Sequence, residues 1–288
     1  MAGVSAKEIK NRIRSMESTR QITRAMELVA ASKLRKAQNQ AIATRPYYTC
    51  LYETINSIAE DSGNISSPYM SSRTEGKTVC IVIAGDRGLS GGYNNNVLKL
   101  IDPEHAILPI GKKAVEYCAA RSMDIISEEY LSAEKLEAEN CFQIANSLCE
   151  GYLAGKYNNV ILHFTNFVSV LTQTPATLKL LPLENIGGKK LGRREMLYEP
   201  DPETVLSALI PEYLGGVIYG ALCESRASEQ AARRGAMDAA TQNADTMIED
   251  LSLQLNRARQ AAITREITEI VANDENCREK TKRINNHQ

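Results

Sequence analysis

Residues 236–271 read AMDAATQNADTMIEDLSLQLNRARQAAITREITEIV, and this stretch decides the fold. It contains neither proline nor glycine, and the same holds on to residue 288. Proline costs about 3 kcal/mol and glycine about 1 kcal/mol inside a helix, so an uninterrupted helix is expected here. Within it Ala244, Ile248, Leu251, Leu255, Ala258 and Ala262 step by four, three, four, three and four. That is the heptad rhythm of a supercoiled helix pair. At 1.5 Å per residue the run would reach roughly 70–80 Å. Such a helix must bury its apolar stripe against a partner.

The other end of the chain offers one. Residues 1–45 contain no proline and only Gly3. There Ile9, Ile13, Met16, Ile22, Met26, Val29, Leu34, Ala37 and Ala41 fall mostly three or four residues apart. Pro46 should kink or interrupt this helix, with a second piece running from Tyr47 to about Glu60. Met16, Met26, Met237 and Met247 sit at helical spacing and read as core or seam.

Between the two ends the period changes. Thr78–Ala84 is a β-branched apolar run, as expected of a strand buried on both faces, and Gly85 ends it. Further strands fit Ala106–Ile110, Met123–Ile126 and Asn159–Val168. Thr174–Leu183 follows too closely for a crossover helix and should pair antiparallel. Lys112–Arg121 and residues 133–155 read as helices. Alternating strands and helices give a small α/β layer domain over 77–195. The segments 61–76 and 185–194 (NIGGKKLGRR) read as connections. Asp201-Pro202 then supplies an N-cap and a proline at the first helical position. After it Ile210, Leu214, Val217 and Ala221 keep helical spacing, followed by small residues including Ala227, Ser228, Ala231, Ala232 and Gly235. The expected division is a helix over 1–60, the α/β domain over 77–195, a helix over 201–276 and a charged tail over 277–288.

The formal net charge of −1 hides an asymmetry. Residues 1–46 carry ten Lys or Arg against Glu8, Glu17 and Glu27, a local +7. A basic helical arm suits nucleic acid, anionic lipid or an acidic protein partner, and a plain solvated face explains it as well. A removable transit peptide is disfavoured by the three glutamates and the sustained periodicity. Seven cysteines show no CxxC pair, which suits reduced thiols in a cytosolic compartment, several packed in the core. His105, His163 and His287 lack metal-ligand spacing, and no cofactor motif is complete.

The segment GDRGLSGGYN, residues 85–94, is the most enzyme-like. Its glycines miss the GxGxxG arrangement, and it lacks the GKS or GKT ending of a phosphate loop. Gly88, Ser90 and Gly92 do spell GxSxG, with His163 as the available base and Asp102 or Asp124 as the orienting acid. Ser90 lies six residues past Ala84, too far for the sharp strand-to-serine turn of that motif. A structural turn is the plainer reading. Glu128-Glu129 and the acidic run 134–139 read as solvated faces.

Three segments, in order, carry a family resemblance: KNRIRSMESTRQITRAMELVAASKLRKA (10–37), AGDRGLSGGYN (84–94) and NRARQAAITREITEIV (256–271). Nearly the whole chain resembles the gamma subunits of F-type rotary ATP synthases. The resemblance implies an α/β protein, a long antiparallel coiled coil of the N- and C-terminal helices plus a Rossmann-like middle domain. It implies a non-catalytic central rotor, without cofactor or metal, that couples proton or sodium flow to ATP synthesis or hydrolysis. The implied partners are the alpha and beta subunits of the catalytic head, the epsilon subunit and the ring of c subunits, and no nucleic acid. The implied location is the cytoplasmic side of a bacterial plasma membrane. Matched to the family's motifs, Met26 falls near the moving lever of beta, and Arg259, Gln260 and Thr264 at the head's catch loop. Arg24 and Lys33 fall on basic positions facing acidic beta loops, and Asn256 and Arg257 complete the polar band. The tail after Val271 departs from the family's short apolar ending. The rival readings are a non-rotary coiled-coil adaptor and a serine hydrolase.

Overall fold

The computed structural model describes residues 6–61, 67–71, 73, 75–127, 130–183 and 198–285, without the side chains of 59–61 and 272–285. The loop 185–194 and Glu128-Glu129 lie outside the described residues. The elements in order are α1 (Ala6–Asp61), β1 (Lys77–Ile83), α2 (Tyr93–Leu98), β2 (Ala106–Ile110), α3 (Lys112–Ala119), α4 (Ala138–Leu153), β3 (Tyr157–Phe167), β4 (Gln173–Leu181) and α5 (Pro202–Asn285). Contacts divide the chain into two units, Met1–Met26 with Met237–Gln288, and Glu27–Ala236.

In the second unit β1 and β3 form the middle of a four-stranded sheet of order β2-β1-β3-β4. β1 pairs parallel with both β2 and β3, and β4 returns antiparallel to β3, as its short connection requires. Pro109 and Pro175 lie in β2 and β4, the two edge strands, where a missing N–H costs no interior ladder bond. The alternation of β1 serves two cores. Val79, Ile81 and Ile83 join one cluster with Cys141, Leu148 and Tyr152 of α4 and with Leu206, Ile210 and Leu214 of α5. Cys80, Val82 and Ala84 join another with Val97 of α2 and with Ala114 and Cys118 of α3. The strand is thus buried on both faces, as its composition demands. The most apolar stretch of α5, with mean hydropathy 1.5 over 18 residues, is half buried inside the protein.

Helix–helix contact in this unit relies on glycine. A Cβ at Gly215 of α5 would stand 2.2 Å from the Phe142 ring, and one at Gly220 would stand 2.8 Å from the Tyr48 ring. Aromatic rings from α1 and α4 therefore lie directly on the α5 backbone. The Asp201 carboxylate accepts the Thr204 N–H at 2.8 Å and so caps α5 where the Asp-Pro pair predicts.

In the first unit the described parts of α1 and α5 run antiparallel. Arg20 pairs with Asp245 at 3.1 Å, and the Thr23 and Thr241 hydroxyls meet at 2.7 Å. The α5 side of the seam runs Met237, Thr241, Ala244, Ile248, Leu251, Leu255 and Ala258, buried or half-buried, in unbroken heptad steps.

Several expectations need correction. Pro46 does not interrupt α1, which continues through it. Pro46 removes one N–H, and both Pro46 and Ile42, whose carbonyl loses that bond, lie on the solvent face. Ile22 and Val29 are exposed, because the inward face of α1 passes through Arg20, Thr23 and Ala30 instead. Met247 is exposed rather than in a seam, and Ala262 lies past the end of the buried heptads. Met123–Ile126 forms only a single bridge, Ile125 to Ile107, and the next contact with that strand edge is the isolated bridge of Leu131 to Ile110. The helix expected from 133 begins at Ala138, since residues 130–136 are held as a loop by side chains described below.

Candidate functional site

Of the eight candidate partner-binding residues, the structure gathers five on one short reach of α5. Asn256, Arg257, Arg259, Gln260 and Thr264 are all exposed. The Thr264 hydroxyl turns back to donate to the Gln260 carbonyl at 2.9 Å, leaving the charged and amide heads to solvent. Interleaved with them Ile263, Ile267, Ile270 and Val271 are 47–68% exposed. From Arg259 to Val271 no residue is buried or half-buried. A helix with apolar and polar residues exposed on all sides is a candidate contact surface. Arg24 is exposed on α1, and Met26 is half-buried. Lys33, in the other unit, has a partner of its own: its ammonium meets Glu134 at 2.7 Å. That hydrogen bond holds the Glu134 carboxyl below its ordinary pKa.

The enzyme-like constellation does not assemble. Ser90 is 2% exposed and its hydroxyl accepts from the Asn94 amide at 3.4 Å. His163 Nδ1 meets the Thr177 hydroxyl at 2.9 Å, across the β3–β4 ladder. Burial lowers the His163 pKa, with His105 adding to the effect. Asp102 faces His105 at 3.8 Å, and Asp124 pairs with Lys77 at 2.7 Å, so neither orients His163. A cavity of about 310 Å³ is lined by residues of the Ser90–Asn96 segment, of β3, β4 and their connection, and of α5, and His163 is not among its walls. Burial pushes the Cys80, Cys141 and Cys149 thiols up to about 12, which leaves them un-ionised and poorly nucleophilic. The six cysteines whose side chains are described are free, and five of them are buried.

What the GDRGLSGGYN turn does instead is fasten the 130–134 loop and α5 beside the end of β1. Asp86 accepts from the Tyr130 hydroxyl at 2.5 Å, the Ser132 hydroxyl at 2.7 Å, and the N–H groups of Ala133, Glu134 and Lys112 at 2.8–3.2 Å. Burial pushes its carboxyl up, and these donors outweigh burial and bring it below the ordinary value. Gly85 lies so close to α5 that a Cβ would stand 2.7 Å from the Glu229 carboxylate. Glu229 pairs with Arg233 at 2.5 Å, and burial raises its pKa despite that partner.

The family follows from comparison. A family profile described as ATP synthase matches residues 5–275. The ATP synthase gamma chain of Ruminococcus albus is 46% identical, with 92% of this chain and 96% of that protein covered. The chain belongs to the ATP synthase gamma-chain family. The Acetobacterium woodii member, described as sodium ion specific, is 43% identical over 94% of this chain and 98% of its own length. Among solved structures, a chain of the Euglena gracilis mitochondrial ATP synthase superposes with a TM-score of 0.63 at 16% identity, covering 93% of this chain and 92% of that one. Such identity speaks for the fold alone. Missed from the sequence of this gamma-family chain were Asp86 and the polar group Ser225, Arg226, Ser228, Glu229 and Arg233 on α5. The signal was available: charged residues standing inside an otherwise small, apolar stretch need buried partners.

Proposed function

We propose that this chain is the central rotor of a rotary ATP synthase, transmitting rotation between a membrane ion pathway and the catalytic head. The observation that carries this reading is α5 from Arg259 to Val271, a continuous helix exposed on every side and studded with Ile263, Ile267, Ile270 and Val271. Exposed apolar residues at this density mark a contact surface. A surrounding ring of alpha and beta subunits covers all sides of a helix at once, which a single flat partner does not. Arg259, Gln260 and Thr264, with Asn256 and Arg257, would engage polar loops of that ring, and Arg24, Met26 and Lys33 acidic or lever segments of beta. Lys33 can do so by exchanging Glu134 for a beta carboxylate, an exchange between exposed pairs of similar worth.

In this reading bond chemistry belongs to the partner subunits. Gamma contributes asymmetry: its surface must contact the conformations of the catalytic sites differently, since equal affinity for all of them would bias none. The α/β body would meet the epsilon subunit and the c ring on the cytoplasmic side of a bacterial plasma membrane, with proton or sodium as the coupling ion.

Co-expression of the chain with its cognate alpha and beta subunits tests this. The expected result is a complex in which a bead fixed to the α/β body rotates when ATP is added. Failure to enter the head, where alpha and beta assemble without it, would overturn the reading, and stable assembly without rotation would favour a coiled-coil adaptor.

A further inference from the structure

Within the Glu27–Ala236 unit, the part of α5 from Ser225 to Arg233 is tied to the α/β body mainly through backbone groups. β1 ends at Ile83, and its last partner on β3 is His163. Two residues further along, Thr165 would have no strand beside it on that edge. The Thr165 N–H instead donates to the Ser225 hydroxyl at 3.2 Å, and the Ser228 hydroxyl donates to the Thr165 carbonyl at 3.2 Å. Helix α5 thus completes the β3 ladder where β1 stops. Arg226 reaches the other way. Its Nε donates to the Ala133 carbonyl at 2.6 Å and its Nη2 to the Leu136 carbonyl at 2.5 Å. The loop it grips is the one Asp86 holds through its N–H groups, so the loop is fastened from both sides. A third tie runs from Arg233 to the Gly88 carbonyl at 3.2 Å.

These ties differ in kind from the apolar packing around them. Hydrophobic contact is non-directional and resists sliding or turning of a helix only weakly. A guanidinium fork on two carbonyls has fixed geometry, and a small rotation of the helix about its axis breaks it. We propose that Ser225, Arg226, Ser228 and Arg233 set the rotational position of α5 against the α/β body, and that, given the rotor reading above, Arg226 is the principal positioning residue through which torque passes between the two. Charge-assisted bonds are roughly twice as strong as neutral ones, so Arg226 supplies about half of this directional restraint.

The test uses the complete ATP synthase with the head immobilised and a bead on the α/β body, read as thermal angular fluctuation of the bead with the catalytic sites locked by inhibitor. Arg226→Met keeps the apolar stem and removes the fork. Its angular variance should rise about two-fold over the unsubstituted complex, while ATP hydrolysis by the unloaded complex stays within about two-fold. The Ser225→Ala/Ser228→Ala pair should raise the variance less, about 1.3-fold, and decides the matter if the Arg226→Met complex is not recovered. Arg226→Lys should fall with the methionine variant, because an ammonium cannot span two carbonyls as the fork does. Unchanged variance in the recovered variants would overturn the proposal. Should the unsubstituted chain itself fail to rotate in the head, the rotor reading fails instead, and the two failures are told apart by that control.

Discussion

Helix α5 contains two stretches of opposite character. From Leu214 to Ala231 no residue is exposed, and from Arg259 to Val271 none is anything else. The first stretch obeys the rules of a protein core: glycines where rings press on the backbone, small residues where strands and loops approach, and every charged head turned onto a partner. The second obeys none of them, leaving isoleucines and arginines side by side in solvent. A single helix can hold both because helix formation is indifferent to which face is buried, while stability is not. The contrast separates the part of the helix that folds the chain from the part that folding leaves uncovered.

The sharpest way to break this distinction is to disturb the buried stretch. Gly215→Ala places a methyl 2.2 Å from the Phe142 ring, and that ring's edge contact with Tyr47 limits its retreat. Overpacking of this kind should cost about 3 kcal/mol. The melting temperature of the isolated chain should fall by roughly 6–12 °C in a thermal scan. A fall under about 2 °C would mean that the α4–α5 contact yields easily and that burial alone does not define the structural half of the helix.

A smaller effect is expected at Asp86, which holds the loop that Arg226 grips. Its folded pKa lies below the ordinary value. Its contribution is therefore present above the unfolded pKa of about 3.9 and is lost as pH falls through the folded value. Glu229 has the opposite sign: its raised pKa favours the folded state at low pH and loses that contribution as pH rises through it. Asp86→Ala should cost about 2 kcal/mol near neutral pH, less than a fully buried acceptor would, because the site is partly solvated. Amide exchange at Ala133 and Glu134, corrected for intrinsic rate, should lose protection below about pH 4 in the parent protein and show a flatter profile in Asp86→Asn. The same acid slope in both would place the pH dependence elsewhere.

These sites also show how much was legible beforehand. The sheet was readable because β1 carries the unbroken apolar run Val79–Ile83 and because the segment between β3 and β4 is too short for a crossover. The outer parts of the two long helices were readable from runs without proline and almost without glycine, over 1–45 and 236–288, and the family from three ordered segments. The seam of α1 was misread at Ile22 and Val29. Apolar residues were assumed to point inward, while the actual seam accepts Arg20 and Thr23 because Asp245 and Thr241 stand opposite. A buried polar pair needs both partners to be recognised, and those lie more than two hundred residues apart in sequence. The role of Asp86 was hidden for the same reason: four of its five donors sit 44–48 residues away, and three of the five are backbone N–H groups that no side-chain motif announces. The polar band at 256–264 was visible as a pattern, since exposure on all sides needs no partner within the chain.

The smallest effect on folding, and the one that most sharpens the comparison, belongs to that band. Arg259→Ala and Gln260→Ala remove exposed heads that touch no described side chain at hydrogen-bond distance, so the isolated chain should change in stability by less than about 0.5 kcal/mol. In the assembled enzyme the same substitutions should lower ATP-driven ion transport several-fold, as truncation of interface arginines commonly costs about 1–2 kcal/mol. Measured side by side, thermal scans and ion uptake into vesicles should therefore move in opposite order for the two stretches of α5: Gly215→Ala large in the first, Arg259→Ala large only in the second. If Arg259→Ala leaves transport unchanged at equal assembly, the polar heads are incidental and contact with the head falls to Ile263, Ile267 and Ile270, whose replacement by serine should then be the damaging change.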